Sequence, residues 1–324
     1  MNLPCKTTFK TSLLLALTII VLSSHLIAQT PSAAKRSFKT GVRENEKGNF
    51  DLAIKNFTRA IEISSHPWQR TSGKRAAENS SVSDELRFGD GSKTISVLDP
   101  FTAVAYTNRA FAWYHKRDFA KAIADCDQAI RINPRLAVAY LNRGAAQRAG
   151  GDVAAAFSDL NRAVEIDPNL AGAFVARGDL RKHLGDVDGA LSDLNHAIDM
   201  APRYGEAYFY RGHALIAKHD LDGAVSNFNR AIKLNVDFSL AYYGRGIARM
   251  LRDEFEKAIT DFSQALELDP KLALAYENRG LAFLLLGKEA EATKDFERCL
   301  TTDPTMKEDL NKRIKLARDL LLFH

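Results

Sequence analysis

The chain has 324 residues, and its 45 Lys and Arg against 40 Asp and Glu give a formal net charge of +5. No basic stripe or tract stands out in the sequence, so charge gives little support to a nucleic-acid-binding role. Ser, His and Asp residues are scattered without a nucleophile motif, and no pair of histidines has the spacing of metal ligands. The sequence therefore favours a protein that is not an enzyme, with no cofactor and no nucleic-acid partner.

The N-terminus has the pattern of a targeting segment. An apolar run at residues 13–22 follows Lys6 and Lys10, and no acidic residue precedes Glu44. These features are typical of a secretory signal peptide, and the run is short for a membrane span. Cleavage after Ala28 would lower the net charge from +5 to +3, because two lysines and no acids are lost.

We therefore predict residues 1–28 to be a signal peptide or an N-terminal anchor, and residues 29–33 to be a linker. A signal peptide predicts an exported protein, periplasmic or extracellular. The alternative, an uncleaved anchor, predicts attachment to the membrane through the N-terminal segment.

A period of 34 residues runs through most of the remaining chain, and such a period is the mark of stacked helical repeats. Proline ends five of the units: Pro134, Pro168, Pro202, Pro270 and Pro304. When the units are numbered from Ala103, arginine occupies position 7 of six: Arg109, Arg143, Arg177, Arg211, Arg245 and Arg279. Position 4 is aromatic, positions 8, 20 and 27 are small, and position 24 carries a residue suited to filling the space between two helices.

These positions resemble those of the tetratricopeptide repeat (TPR) family, and the chain looks like a bacterial-type exported TPR protein. The resemblance implies an all-α fold, a right-handed superhelical α-solenoid of helix-turn-helix repeats. It places TPR 2 to TPR 7 at residues 103–136, 137–170, 171–204, 205–238, 239–272 and 273–306. A copy without the aromatic and the proline gives a degenerate TPR 1 at 34–65, and residues 307–324 form a C-terminal capping helix.

Residues 66–102 form a long irregular insertion between TPR 1 and TPR 2. Asp90-Gly91 lies between residues suited to strands, which predicts a possible hairpin at 86–98. We interpret the insertion as a tolerated surface loop. A functional flap, or an enzyme or cofactor site in this segment, is the alternative.

Positions 7 and 23 lie at equal distances from the inter-helix turn near position 15, so their side chains should meet within each repeat. Position 23 is aspartate in five of the six strong units and Asn227 in the sixth, where it faces Arg211. We predict structural ion pairs rather than a ladder of guanidinium groups for an anionic ligand. The predicted pairs are Arg109–Asp125, Arg143–Asp159, Arg177–Asp193, Arg245–Asp261 and Arg279–Asp295.

In the family resembled here, the first helix of each repeat lines the inner, concave surface, and positions 5, 9 and 12 share one face of that helix. The groove predicted from these positions comprises Phe111, Tyr114, Phe209, His213, Ile216, Tyr243, Ile247, Met250, Leu281 and Leu284. Its members in the last three repeats should form an open apolar strip, unless the C-terminal helix folds back over the last repeat. Lys at position 5 and Asn at position 9 are absent, so the carboxylate clamp of chaperone-binding TPR domains is not matched.

The sequence thus favours a non-catalytic protein–protein interaction scaffold in the cell envelope. It would bind a protein or peptide partner, extended or helical and with apolar anchors, on its concave surface. A self-associating structural component of the envelope is the alternative, and a homo-oligomer is compatible with both. The repeat pattern implies binding and names no partner.

Overall fold

The computed structural model describes residues 30–65, 100–235 and 237–322 of the chain. The predicted signal peptide or anchor at 1–28 and the possible hairpin at 86–98 lie outside these residues. Within the described residues all regular secondary structure is helical, which confirms the predicted all-α fold. Backbone contacts divide the chain into two compact units, and the boundary follows Pro168.

The N-terminal unit, residues 30–168, contains three helix pairs. They are α1 (Ser32–Glu46) with α2 (Phe50–Ser65), α3 (Pro100–His115) with α4 (Phe119–Ile132), and α5 (Ala137–Gly150) with α6 (Val153–Ile166). The two helices of each pair pack together, and α3 and α5 also pack on the second helix of the preceding pair. This is the stacking that a helical repeat needs in order to bury its apolar face.

The C-terminal unit, residues 169–322, contains four helix pairs and one further helix. The pairs are α7 (Ala171–His183) with α8 (Val187–Met200), α9 (Gly205–Ala217) with α10 (Leu221–Leu234), α11 (Ser239–Met250) with α12 (Phe255–Leu268), and α13 (Ala273–Leu285) with α14 (Glu289–Thr302). A 3-10 turn, Pro304–Met306, leads into α15 (Lys307–Leu322). Within each unit the first helices of neighbouring pairs also touch, and we call the side of the unit that they line its inner face.

Each helix pair turns at position 15 through one residue in the left-handed conformation. These residues are Gly48, Arg117, Gly151, Gly185, His219, Asp253 and Gly287, with φ between 57° and 96°. The left-handed residue stops the first helix, and glycine adopts it without a Cβ clash. In four pairs an aspartate follows at position 16 and accepts a hydrogen bond from the backbone N–H three residues on: Asp118, Asp152, Asp186 and Asp220. The turn is therefore encoded by a helix stop followed directly by a helix N-cap.

Positions 8 and 24 are matched in size across each helix pair. A Cβ atom on Gly246 would lie 2.6 Å from the ring of Phe262, so the aromatic residue at position 24 requires glycine opposite it. Where position 24 is the smaller Cys126, position 8 is Ala110, and both are fully or almost fully buried. This matching lets the two helices approach closely with different residues filling the space between them.

Two element boundaries differ from the sequence prediction. Helix α3 begins at Pro100, so residues 100–102, assigned to the insertion, are helical. Proline fits the first turn of a helix, and the ring of Phe101 is buried against Phe38 with their centroids 5.2 Å apart. Helix α1 begins at Ser32, inside the predicted 29–33 linker.

The arginine at position 7 joins the two helices of its own repeat. Nε and Nη2 of Arg143 donate to the two carboxylate oxygens of Asp159, each at 2.7 Å. The same two-pronged contact is present in the other predicted pairs, Arg109–Asp125, Arg177–Asp193, Arg245–Asp261 and Arg279–Asp295. Asp159 is 6% exposed, so this charge is kept inside the repeat by a partner that satisfies both of its oxygens.

The third guanidinium nitrogen, Nη1, reaches back to the preceding repeat, a contact that the sequence analysis missed. Nη1 of Arg143 donates to Asp127, at position 25 of the repeat before, at 2.6 Å. The equivalent acceptors are Thr58 for Arg109, Asn195 for Arg211, Asn229 for Arg245 and Ser263 for Arg279. Each of these units has a side chain at position 25 that can accept a hydrogen bond. This recurrence in the sequence could have predicted the contact between repeats.

Among the position 7 arginines, Arg211 is the one whose partner at position 23 is an amide, Asn227, and not a carboxylate. Its Nε donates to Oδ1 of Asn227 at 2.7 Å, and burial lowers its pKa. In the first helix pair both charges are absent, and Thr40 and Asn56 instead bond to carbonyl groups of their own helices. Two of the seven helix pairs thus form without an ion pair at these positions, one with a neutral hydrogen bond across the pair and one with hydrogen bonds inside each helix.

Arg143→Ala should lower the free energy of unfolding by about 3 kcal/mol, because it leaves the buried carboxylate of Asp159 without its cation. Arg211→Ala, at the same position but facing a neutral amide, should cost about 1 kcal/mol. Urea unfolding followed by far-UV circular dichroism measures both. Equal losses in the two variants would contradict a role for the buried carboxylate.

Candidate functional site

In the N-terminal unit, the predicted groove residues Phe111 and Tyr114 are half-buried on α3. They belong to a partly exposed aromatic cluster with Phe50, His115 and Phe119. The rings of Phe50 and His115 stack with centroids 4.7 Å apart, and Phe111 and Tyr114 lie 4.4 and 5.5 Å from His115. Burial lowers the pKa of His115 to about 4, so the imidazole is neutral at physiological pH. The cluster therefore offers an uncharged aromatic surface.

Two asparagine side chains join neighbouring first helices of this unit and leave acceptor oxygens unused. Nδ2 of Asn142 donates to the carbonyl oxygen of Thr107 at 3.3 Å, and Nδ2 of Asn45 donates to that of Asn108 at 3.3 Å. The Oδ1 atom of each amide is buried and has no hydrogen-bond partner among the described residues. Sequence reasoning missed these amides. Asn recurs at position 6 in Asn108, Asn142 and Asn278, which was a signal for Asn142 but not for Asn45, at position 12.

The C-terminal unit does not present the open apolar strip predicted from the sequence. Phe209 is 4% exposed, because the rings of Phe228 and Phe238 cover it at centroid distances of 6.0 and 4.8 Å. Tyr243 is 6% exposed and packs against Phe262. Position 5 is thus part of the core between adjacent repeats, and these two residues are not free to bind a partner.

Helix α15 covers the last repeat, as the alternative in the sequence analysis anticipated. Leu281 and Leu284 are buried with Ala317 of α15, and Ile314 packs on the same cluster. α15 begins at position 1 of an eighth unit and its backbone approaches α13, while its side chains also contact Cys299 and Glu289 of α14. It therefore lies on the inner face of the unit.

A polar contact fixes α15 on this face. Nη1 of Arg313 lies 2.8 Å from Oε1 of Glu277, and its Nη2 donates to Oδ1 of Asn278 at 2.9 Å. Nδ2 of Asn278 lies in turn 3.1 Å from the hydroxyl oxygen of Tyr243. Glu277 is 2% exposed, and its burial raises the pKa of its carboxyl group. The inner face thus binds one amphipathic helix through apolar packing and one buried ion pair.

Four predicted groove residues of this unit remain partly exposed on the inner side. They are His213, Ile216, Ile247 and Met250. Burial lowers the pKa of His213 to about 3, so this imidazole is neutral as well. The exposed groove is accordingly narrower than predicted and is displaced from position 5 towards positions 9 and 12.

Buried carboxyl groups distinguish the inner face of the C-terminal unit. Asp179 and Glu206 are 3% and 6% exposed, and Glu277 is the third. Oε2 of Glu206 has no hydrogen-bond partner among the described residues, and burial raises the pKa of this carboxyl group to about 7. The first helices of this unit therefore bury carboxyl groups, at position 9 in Asp179, position 2 in Glu206 and position 5 in Glu277.

The described residues contain no group of three or more His, Cys, Asp or Glu side chains that could hold a metal ion. Cys126 and Cys299 are fully buried, and burial raises the pKa of both thiols, that of Cys299 to about 12. None of the described helices is long and apolar enough to cross a membrane.

Comparison with known proteins gives the repeats a family. Sequence models described as tetratricopeptide repeats match residues 103–136, 137–170, 175–235, 248–287 and 273–306, together more than half of the chain. The chain is 38% identical over 66 residues to the TPR repeat-containing thioredoxin TTL4 of Arabidopsis thaliana. That match covers 20% of this chain and 9% of the thioredoxin.

Solved structures share the fold. A tetratricopeptide repeat protein from Parabacteroides merdae is 16% identical, with a TM-score of 0.58, 89% of this chain covered and 100% of that one. The type IV pilus biogenesis factor PilW is 19% identical, with a TM-score of 0.58, 65% of this chain covered and 97% of that one. At these identities the likeness is one of fold alone.

Arg313→Ala should loosen α15 and expose Leu281 and Leu284, because the side chain that bonds to Glu277 and Asn278 is lost. Binding of an apolar fluorescent dye should rise while the far-UV circular dichroism signal of the helix pairs stays near that of the parent chain. Lys312→Ala, a neighbouring exposed position on the same helix, is the control and should leave dye binding unchanged. If both variants bind dye like the parent chain, the ion pair does not hold α15 in place.

Proposed function

We propose, from the premise that this chain belongs to the tetratricopeptide repeat family, that it is an interaction scaffold whose inner face binds a peptide segment of a partner protein. The observation that carries the proposal is the position of α15. The inner face of α13 holds an amphipathic helix through Ile314, Ala317 and the Arg313–Glu277 ion pair. A partner helix with the same distribution of apolar and basic residues as α15 could bind the neighbouring part of the inner face in the same way.

The surface available to such a segment is the partly exposed group of Ile216, Ile247, Met250 and His213. Met250 already packs against the cluster that holds α15, so the two surfaces are continuous within the C-terminal unit. Half-buried aliphatic side chains can bury further area in a complex without a large loss of conformational freedom. We therefore assign apolar anchoring to Ile216 and Ile247.

The N-terminal unit supplies a second contact surface of different chemistry. Phe111 and Tyr114 present ring surface, and aromatic residues contribute strongly to binding energy at interfaces. The unpaired oxygens of Asn45 and Asn142 mark amides whose acceptor capacity the fold leaves unused. A local rotation of either amide would let it accept a hydrogen bond from the backbone of an extended peptide.

Paired substitutions test the two surfaces. Ile216→Ala with Ile247→Ala, and Phe111→Ala with Tyr114→Ala, should each weaken partner capture by about 1–3 kcal/mol per critical anchor. Capture is measured with the mature chain as bait in envelope extracts, followed by quantitative mass spectrometry and titration of the recovered partner.

The matched control is Leu52→Ala, which truncates a side chain on α2 that is 50% exposed. It should leave both capture and thermal stability unchanged. Undiminished capture in both paired variants would place the interface elsewhere on the chain and would refute binding on the inner face.

We also propose that this scaffold works in the cell envelope. The support is the pattern at the N-terminus, where basic residues precede an apolar run and a polar stretch follows it. Either fate of this segment, cleavage during export or retention as an anchor, brings the repeats to the envelope.

N-terminal sequencing of the native protein should find a chain that begins near Gln29, since cleavage after Ala28 removes the apolar run. Recovery of an intact Met1 chain in the membrane fraction would select the anchor. Recovery of the intact chain in the cytosol would refute an envelope location.

A further inference from the structure

Folding gathers the basic residues of α1 into a stripe that the linear sequence does not show. The helix carries no acidic side chain before Glu44. Lys35, Arg36, Lys39, Arg43 and Lys47, the last at the C-cap, fall within an arc of about 120° at 3.6 residues per turn. This corrects the expectation, stated from the sequence, that no basic stripe is present.

The stripe lies opposite the buried side of α1. Ala34, Ser37, Gly41 and Glu44 are the buried residues of this helix, and they project about 120–180° away from the centre of the stripe. The side chains of Arg43 and Lys47 are 64% and 55% exposed. The basic groups therefore face solvent along about 18 Å of helix.

Few acidic groups neutralise the stripe. Glu44 is 7% exposed, and its Oε1 lies 3.5 Å from Arg43 and 3.2 Å from Lys47, so it offsets charge at the C-terminal end of the stripe. Glu46 is the one exposed acidic residue within the arc. Lys35 and Lys39 have no carboxylate partner among the described residues, and Arg36 lies 3.5 Å from Oγ of Ser32.

The charge of the surrounding unit has the same sign. Its described residues, 30–65 and 100–168, contain 16 Lys and Arg against 11 Asp and Glu, a formal net charge of +5. A positive unit whose cationic face is only partly neutralised attracts an extended anionic surface and concentrates it at that face.

We propose that the basic face of α1 binds a membrane surface of anionic phospholipids. Nine residues separate the end of the apolar run at Leu22 from Ser32, and they span at most about 32 Å. If the run remains in the bilayer it holds α1 within reach of the headgroups, and if it is removed the stripe still supplies electrostatic binding. A straight row of Lys and Arg side chains suits a flat array of phosphates, and each contributes about fivefold in affinity.

Vesicle flotation of the purified chain tests the proposal through the ratio of binding to phosphatidylglycerol-containing vesicles over pure phosphatidylcholine vesicles. Insertion of the apolar run contributes equally to both, so the ratio isolates the charge-dependent part. Replacing Arg36, Lys39 and Arg43 together by Gln should lower the ratio by about a hundredfold. Raising the salt concentration should lower the ratio of the parent chain towards that of the triple variant.

The control removes the same charge from exposed positions outside the stripe, with Lys55, Arg131 and Arg135 replaced by Gln. This variant should keep most of the parent ratio, and circular dichroism should show that both variants fold. A ratio that is the same for the parent chain and the α1 variant would overturn the proposal. Binding of duplex DNA without any preference for anionic vesicles would also overturn it, because the stripe would then be a nucleic-acid contact.

Discussion

The packing of these repeats depends on one recurrent interaction, the guanidinium group at position 7. Its planar fork of N–H donors fits the two oxygens of the buried aspartate at position 23, as Arg143 does with Asp159. The remaining nitrogen reaches the preceding repeat, and a ring at position 4 lies beside the guanidinium carbon, Tyr140 at 5.5 Å in this repeat. A single side chain thereby joins two helices and two repeats. A lysine at position 7 would have a single ammonium group, which could not reach both aspartate oxygens and the acceptor in the preceding repeat. Buried oxygens would then be left without hydrogen bonds.

The sequence was sufficient to predict the elements whose physics is local to a repeat. The turn near position 15, the small residue at position 8 and the ion pairs all follow from the 34-residue register, because each involves residues of one helix pair. The contact of Nη1 with the repeat before was not predicted, since it depends on how two repeats stack. Thr58, Asn195 and Ser263 look like ordinary polar surface residues until that stacking is known.

The groove was predicted less well for the same reason. Helical spacing indicates which residues of a helix share one side, as with positions 5, 9 and 12. It does not indicate what covers that face. Phe238 from the following turn covers Phe209, and α15 covers Leu281, so part of the expected binding surface is core. The basic stripe of α1 is the opposite case, an exposed feature that the sequence analysis did not predict. Its basic residues are separated in the sequence and come together on one side only when the helix forms.

Coupling between repeats through position 7 is the central claim, and amide hydrogen exchange of Arg245→Ala tests it most directly. In the parent chain Arg245 donates to Asp261 of α12 and to Asn229 of α10, the second helix of the preceding repeat. The account predicts faster exchange in α10 as well as in α11 and α12, because local opening of a repeat propagates through its interface with its neighbour. Faster exchange confined to α11 and α12, with α10 protected as in the parent chain, would contradict it.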